Sequence, residues 1–395
     1  MLQGPRWLSL WKIPSGLLGM LLLIGMLERQ VSRYPELILS SHEMDWAVGV
    51  RDSENNCRGE DILCFGDSML KFGLSPILLA ERLGCSVRSV ALLDGNPASS
   101  YFLFRRAILA GAKPKIVFVD YQPECLYQEA ERLASRAQWR ALLSLSECWE
   151  LAKEFHDPSF FTRTVAQIAV PSFGGRIELR SGLLHSLQGK PCPNIEENAK
   201  LARNRVVNLG GLILPEQPQF NGEIPADYFD KVMFPAHWMN RPEHTVFVER
   251  FMRLAAEHGI RVYWVLPPNA PKLQKIRDDI GLTARYDSFV RSVQERYSNL
   301  SVIEARHSGF ERDVFVDPVH LNRQGAWKLS AAVAEVVRGT NPQRREIVHS
   351  NWIKLQPGLT PPPTVYLEDI EQSKSKLGSR DVAADVRVWS GKNLK

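Results

Sequence analysis

The sequence has no concentration of charge of one sign. Its 49 Lys and Arg against 44 Asp and Glu give a net charge of +5, and the basic residues are scattered along the chain. A protein that binds nucleic acid through the phosphates usually carries a basic patch or stripe. The sequence therefore predicts no nucleic-acid partner, and we expect its charged residues on a solvated surface.

The chain also lacks the residue spacings of a metal site. None of its 6 cysteines forms a C-x-x-C pair, the spacing typical of structural zinc sites. His237, His244 and Asp230 lie near one another in the sequence but have no ligand-like spacing. We therefore expect no metal and no other cofactor. Cys64 and Cys85 lie in apolar contexts typical of core residues, and disulfide pairing stays open.

One long uncharged apolar run is present, at residues 13–27. A helix rises about 1.5 Å per residue, so this run is short for a hydrocarbon core of about 30 Å. Extension back to Trp7 reaches spanning length and includes Lys12, which could extend to the headgroups. We predict that residues 1–30 anchor the protein in a membrane, with the rest on the extracytoplasmic side. The alternatives are a cleaved signal peptide, although no small-residue cleavage site follows the run, and a buried core helix.

The chain is 395 residues long and 44% hydrophobic, enough for one large or two modest domains. After a lead-in at residues 31–60, short apolar runs alternate with helical segments. The predicted strands are 61–65, 86–92 and 115–120, and the predicted helices between them are 70–84 and 98–110. This alternation is typical of a parallel sheet.

The alternation lapses over residues 124–240, which mix helical pieces with irregular segments containing Gly and Pro. The segment is too long for a crossover loop, and we predict an insertion that lies over the strand ends as a lid. The alternation then resumes with helix 242–258, strand 260–266, helix 286–296, strand 300–305 and helix 323–338. Residues 339–395 change composition, and we predict a poorly ordered tail.

Two short motifs could carry chemistry. Gly66-Asp67-Ser68 directly follows the first predicted strand, which would expose the Ser68 hydroxyl at the carboxyl edge of the sheet. A serine needs a neighbouring base to become a good nucleophile. Asp317-Pro318-Val319-His320 precedes the last predicted helix, so His320 could act as that base and Asp317 could orient its ring. We therefore predict Ser68, His320 and Asp317 as catalytic residues.

With these motifs in these positions, residues 61–338 outside the insertion resemble the SGNH, or GDSL-like, hydrolase superfamily. The matching residues are Phe65-Gly66-Asp67-Ser68, Gly95 after the second predicted strand, and Asp317-Pro318-Val319-His320 with Leu321-Asn322. The resemblance implies that Ser68 is the nucleophile, His320 the base, and Asp317 the residue that orients it. It also implies that the N–H groups of Ser68 and Gly95 help to form an oxyanion hole.

The third block of the family pattern differs. Asp120-Tyr121-Gln122-Pro123 stands after the third predicted strand, where the family has an asparagine. Gln122 carries the same amide donor on a longer side chain and is the expected substitute, with Asn96 as another source of a donor. The loss of one such donor typically costs about 2.7–4 kcal/mol of transition-state stabilisation.

The sequence thus predicts an α/β fold, a three-layer sandwich with a five-stranded parallel sheet of flavodoxin-like order and a lid. The resemblance implies a serine esterase or O-acyltransferase that forms an acyl-enzyme. Its expected substrates are ester groups, in particular O-acetyl groups of an extracellular or envelope polysaccharide. One alternative is a catalytically weak or inactive assembly or binding protein at the membrane. Another is a lipid-directed esterase, which an apolar lid would favour.

Overall fold

The structure, a computed structural model, describes residues 15–190, 192–224, 237–339, 351–355 and 365–377. Residues 1–14 of the predicted anchor and Asp230 lie outside these ranges. The strands are β1 (Ile62–Phe65), β2 (Val87–Ser89), β3 (Ile116–Val119), β4 (Arg261–Leu266), β5 (Leu300–Glu304) and β6 (Trp352–Lys354).

The helices fall into those of the alternating core, those of the insertion and two near the ends of the chain. The core helices are α2 (Ser41–Asn55), α3 (Ser68–Gly73), α4 (Pro76–Leu83), α5 (Pro97–Leu109), α14 (Pro242–Glu257), α15 (Pro271–Asp279), α16 (Leu282–Arg296) and α17 (Arg323–Gly339). The insertion contains α6 (Pro123–Tyr127), α7 (Ala130–Ala134), α8 (Trp139–Leu142), α9 (Leu145–Glu154), α10 (Pro158–Ala169), α11 (Pro171–Gly174), α12 (Arg176–Leu187) and α13 (Pro193–Val207). Near the ends are α1 (Ser15–Val31) and α18 (Ile370–Ser375), and 3-10 turns lie at Pro35–Leu37 and Arg312–Val314.

The six strands form one parallel sheet in the order β2-β1-β3-β4-β5-β6. The prediction of five strands is wrong, because β6 pairs with β5 through Val302↔Trp352, Ile303↔Ile353 and Glu304↔Lys354. This strand comes from the segment predicted to be a poorly ordered tail. Three residues, one of them a lysine, are too few to produce a recognisable strand pattern.

Helices cover both faces of the sheet because side chains along each strand alternate in direction. Leu63 and Phe65 of β1 pack with residues of α2, α5, α14 and α16 in one apolar cluster. Ile62 and Cys64 point the other way and pack with residues of α3, α4 and α17. Burial on both faces explains why β1 and β3 are continuously apolar in sequence.

The insertion covers more than the strand ends. Its first part, from α6 to Arg136, borders the carboxyl edge of the sheet. The segment after α13 runs beside the outer strand, where the N–H of Ser89 donates to Leu209 O (2.9 Å). The N–H of Leu212 then donates to Lys71 O of α3 (3.0 Å). The insertion therefore also protects the free edge of β2 and braces α3.

The described ends of the chain differ in how they pack. Helix α1 exposes most of its apolar side chains, among them Leu21, Leu22 and Leu23. No helix within the described ranges is both long and apolar enough to cross a membrane. Near the other end, Asn204 of α13 donates to Glu368 O (2.8 Å) and to Ser373 Oγ of α18 (3.0 Å).

Candidate active site

The turn after β1 requires glycine at position 66. Gly66 has a φ of +147°, and a Cβ there would lie 1.8 Å from Asp120 Oδ1. Asp67 then caps α3, because its Oδ1 accepts from the N–H of Met69 (2.8 Å). Ser68 becomes the first residue of α3, partly exposed at the carboxyl edge of the sheet.

The structure brings the three predicted catalytic residues into one hydrogen-bonded chain. Ser68 Oγ lies 2.8 Å from His320 Nε2, although 252 positions separate the two residues. His320 Nδ1 lies 2.6 Å from Asp317 Oδ2. With a proton on Nδ1, the imidazole donates to Asp317 and its Nε2 accepts from the serine hydroxyl. This arrangement can transfer a proton from Ser68 to His320 while Asp317 stabilises the imidazolium.

The loop that carries His320 is held by its own side chains. Asp317 Oδ1 accepts from the N–H groups of Val319 and His320, both at 2.8 Å. The N–H of Val316 donates to His320 O (3.0 Å), and the ring of Phe72 meets the imidazole edge to face, with centroids 5.2 Å apart. Burial alone would raise the pKa of Asp317, but His320 and the two N–H groups outweigh it and hold the pKa below its usual value. Asp317 is therefore ionised at neutral pH.

Asp120, a buried residue that the sequence did not single out as functional, supports the turn that carries Ser68. Asp120 follows β3 and is fully buried, and its Oδ1 accepts from the N–H of Asp67 (3.0 Å). Burial raises the pKa of Asp120 well above its usual range, and the neighbouring Asp67 adds to the effect. The raised pKa favours the neutral form of Asp120, whose Oδ1 fixes the backbone that presents Ser68. Its position at the end of a predicted strand was the signal that could have identified it.

Gly95 packs directly against the serine turn. A Cβ at Gly95 would lie 2.1 Å from Gly66 O and 3.2 Å from the Cα of Asp67. Its own N–H donates to Leu92 O (3.1 Å), so an oxyanion role would require this hydrogen bond to open or to be shared. Among the described residues, no acceptor is bonded to the N–H of Ser68.

The two predicted amide donors differ in position. Gln122 lies in the wall of the cleft at Ser68, where its Oε1 is 3.5 Å from Arg277 Nη1. Asn96 is buried and caps α5 through a hydrogen bond from the N–H of Ser99 to its Oδ1 (3.1 Å). Its Nδ2 finds no partner within the described part of the chain, but Asn96 does not line the cleft. Gln122 is therefore the better placed of the two for a substrate.

A cleft of about 250 Å³ opens at Ser68 and His320. One wall comes from the start of the insertion, and the cleft is lined by Asp67, Ser68, Met69, Asp94, Gln122, Glu124, Cys125, Gln128, Arg132, Arg136, Arg277, Val319 and His320. Cys125, Arg132 and Arg136 lie in the segment that was predicted only to be a lid. The scatter of basic residues in the sequence gave no reason to single out these two arginines.

The helix that carries Ser68 is anchored by a buried ion cluster. Lys71 is fully buried and its Nζ lies 2.8 Å from Asp45 Oδ1 and 2.7 Å from Ala91 O. Arg205 of α13 joins the same cluster through Asp45 and Asp52. The insertion, the lead-in helix α2 and α3 are thereby tied together behind the serine.

The remaining polar residues named from the sequence lie away from this site. His244 is buried, its Nε2 lies 2.8 Å from Gln128 O, and burial lowers its pKa to about 4. His237 is exposed. All six cysteines are free thiols.

Comparison with known proteins adds no assignment. No protein-family model matches the chain, and no curated protein is significantly similar to it.

Proposed function

We propose that this protein is a serine esterase or O-acyltransferase that works through an acyl-enzyme on Ser68. The observation that carries the proposal is the hydrogen-bonded chain from Ser68 through His320 to Asp317, open to a cleft at its serine end. A serine, a base within hydrogen-bond reach and a carboxylate that orients the base are the parts that nucleophilic acyl transfer needs.

In the proposed reaction, Ser68 Oγ bonds to the carbonyl carbon of an ester as its proton moves to His320 Nε2. The tetrahedral intermediate collapses, the bond to the alcohol oxygen breaks, and that oxygen takes the proton from His320. Water or a sugar hydroxyl then attacks the acyl-enzyme with His320 again as the base, and Ser68 is regenerated. Donors to the oxyanion are the N–H of Ser68 and the amide of Gln122, with Gly95 joining if its turn opens.

We further propose that the fold belongs to the SGNH type, with the flavodoxin-like order 2-1-3-4-5 extended by β6 at its edge. The strand order and the position of Ser68 after β1 support this assignment. O-acetyl groups of an extracellular or envelope polysaccharide are the proposed substrates. A lipid substrate has less support, because four of the five residues that the insertion contributes to the cleft, Glu124, Gln128, Arg132 and Arg136, are charged or polar.

Labelling by a fluorophosphonate probe tests the nucleophile, because the probe requires an activated serine and no particular substrate. We expect wild-type protein to be labelled, Ser68→Ala protein not to be labelled, and His320→Gln protein to be labelled far more slowly. Hydrolysis of p-nitrophenyl acetate should follow the same order. Equal labelling of wild-type and Ser68→Ala protein would refute the proposal.

A catalytically weak or inactive binding protein is the second candidate. One observation favours it, namely that the N–H of Gly95 is already bonded to Leu92 O. If this bond persists, the oxyanion has fewer donors and the chemistry is slow. Wild-type protein that binds acetylated glycans but is not labelled by fluorophosphonate would support this candidate over the esterase.

We also propose that residues 1–30 attach the protein to a membrane, with the catalytic domain on the extracytoplasmic side. The exposed apolar side chains of α1 support an apolar environment for this segment. Membrane association should survive a high-salt wash and be lost when residues 1–30 are removed. A truncated protein that still sediments with membranes would contradict the assignment.

A further inference from the structure

Three arginines and three acidic residues line the cleft, but the arginines differ in their ion pairing. Arg277 forms an ion pair with Glu124, so this cation is already neutralised. Arg132 of α7 is exposed, and Arg136, in the turn that follows, is half-buried. Within the described ranges, no carboxylate lies close enough to pair with the guanidinium of either residue. Among the described residues, two of the three arginines in the cleft therefore form no ion pair.

Arg136 is nevertheless held in place. Its Nη2 donates to Gln128 Oε1 (2.8 Å) and its Nη1 donates to Asp94 O. These neutral acceptors fix the guanidinium without cancelling its charge. Asp94 lines the same rim, but its carboxylate lies 3.6 Å from His42 Nε2. Arg136 keeps its charge and its remaining N–H groups, and the exposed Arg132 keeps all of its donors, so both can donate to an incoming anion.

We infer that the cleft at Ser68 binds a glycan that carries carboxylate or sulfate groups, and that Arg132 and Arg136 bind those groups. The glycan nature of the ligand rests on the proposed function, whereas its negative charge follows from the two arginines. The esterified sugar would lie at Ser68 while a charged group of the same or a neighbouring sugar pairs with the guanidinium groups. Arg132 and Arg136 are thus specificity-determining residues.

Binding to full-length Ser68→Ala protein tests this inference without any reaction. The probes are O-acetylated polygalacturonate with its carboxyl-reduced form, and O-acetylated dextran sulfate with O-acetylated dextran. We expect each charged polymer to bind about tenfold more tightly than its uncharged counterpart at low salt. For each pair we take the ratio of the affinity for the charged polymer to that for the uncharged one. The pair with the larger ratio identifies carboxylate or sulfate as the preferred group.

Arg132→Gln with Arg136→Gln, added to this protein, should reduce both ratios to within about twofold of one. The matched control is Arg180→Gln with Arg253→Gln, which changes the net charge equally at two exposed arginines outside the cleft. The control should keep the ratios of the Ser68→Ala protein, and all variants should show the same thermal unfolding.

Equal binding of charged and uncharged polymers would overturn the inference, as would a preference that survives in the Arg132→Gln/Arg136→Gln protein or is lost equally in the control. Acetate release by protein that retains Ser68 separates this outcome from failure of the proposed function. If acetate is released from charged and uncharged polymers alike, the anion site is refuted and the proposed esterase activity stands. If binding selects charged polymers through the two arginines but fluorophosphonate does not label Ser68, the anion site stands and the proposed esterase activity is refuted.

Discussion

Gly95→Ala should disable Ser68 without removing any catalytic group. The added Cβ would lie 2.1 Å from Gly66 O, a main-chain atom, and Cβ contacts below 3.0 Å are essentially never seen. The two strand-end loops must therefore separate by about 0.9 Å. Ser68 follows Gly66 by two residues, so a shift of this size is enough to break its 2.8 Å contact with His320. A misplacement of about 1 Å can reduce the rate about 10²-fold, or about 2.7 kcal/mol.

The second-order rate constant of fluorophosphonate labelling measures this effect directly. The matched control is Gly73→Ala in α3, the helix that carries Ser68, where a Cβ would lie 3.4 Å from Leu329 Cδ2, an ordinary contact. We expect the control to label at close to the wild-type rate, and Gly95→Ala to lose only about 1–3 kcal/mol of unfolding free energy. Folded Gly95→Ala protein that labels as fast as wild type would refute the reasoning that this glycine is needed to seat the serine turn.

Three further predictions concern the residues around the serine and the buried histidine. Asp317→Asn keeps a side-chain oxygen for the loop but loses the carboxylate that holds His320, so kcat should fall about 10³–10⁴-fold with little change in melting temperature. Asp120→Asn should keep most of the stability and labelling, because burial favours the neutral form of the native carboxyl. Asp120→Ala removes the acceptor of the Asp67 N–H and should lose about 1–3 kcal/mol in urea unfolding. Equal losses in the two variants would contradict a neutral Asp120. His244 has a pKa of about 4 when folded and 6.5 when unfolded, so the unfolded chain binds more protons between these values and stability falls as pH falls. Between pH 7.5 and 5 the wild type should lose about 2 kcal/mol more than His244→Gln, and parallel losses would refute this assignment.

Local patterns in the sequence were sufficient to predict most of the sheet. The predicted strands 61–65, 86–92, 115–120, 260–266 and 300–305 contain β1 to β5, because strands buried on both faces are rich in apolar residues. The proximity of Ser68 and His320 followed from the same rule. Both lie after parallel strands of one sheet, and the carboxyl ends of such strands share an edge.

The remaining features depend on contacts that no local pattern encodes. Lys71 looks like a surface residue of a helix, and only its distant partners, the Asp45 carboxylate and the Ala91 carbonyl, permit its burial. Gly95 was predicted as a hydrogen-bond donor, but the structure supplies a steric reason for glycine at this position. The pairing of β6 with β5 requires a neighbour rather than a strand pattern, so composition alone suggested a tail.

Trapping of the acyl-enzyme tests the central claim most directly. Wild-type protein is mixed with p-nitrophenyl acetate, quenched in acid within the first turnovers and digested, and the peptide that contains Ser68 is analysed by mass spectrometry. Ser68 as a nucleophile activated by His320 predicts one acetyl group on Ser68 in the wild type and none in His320→Gln protein. Hydrolysis that proceeds without acetylation of Ser68, or the same acetylation in both proteins, would contradict the account.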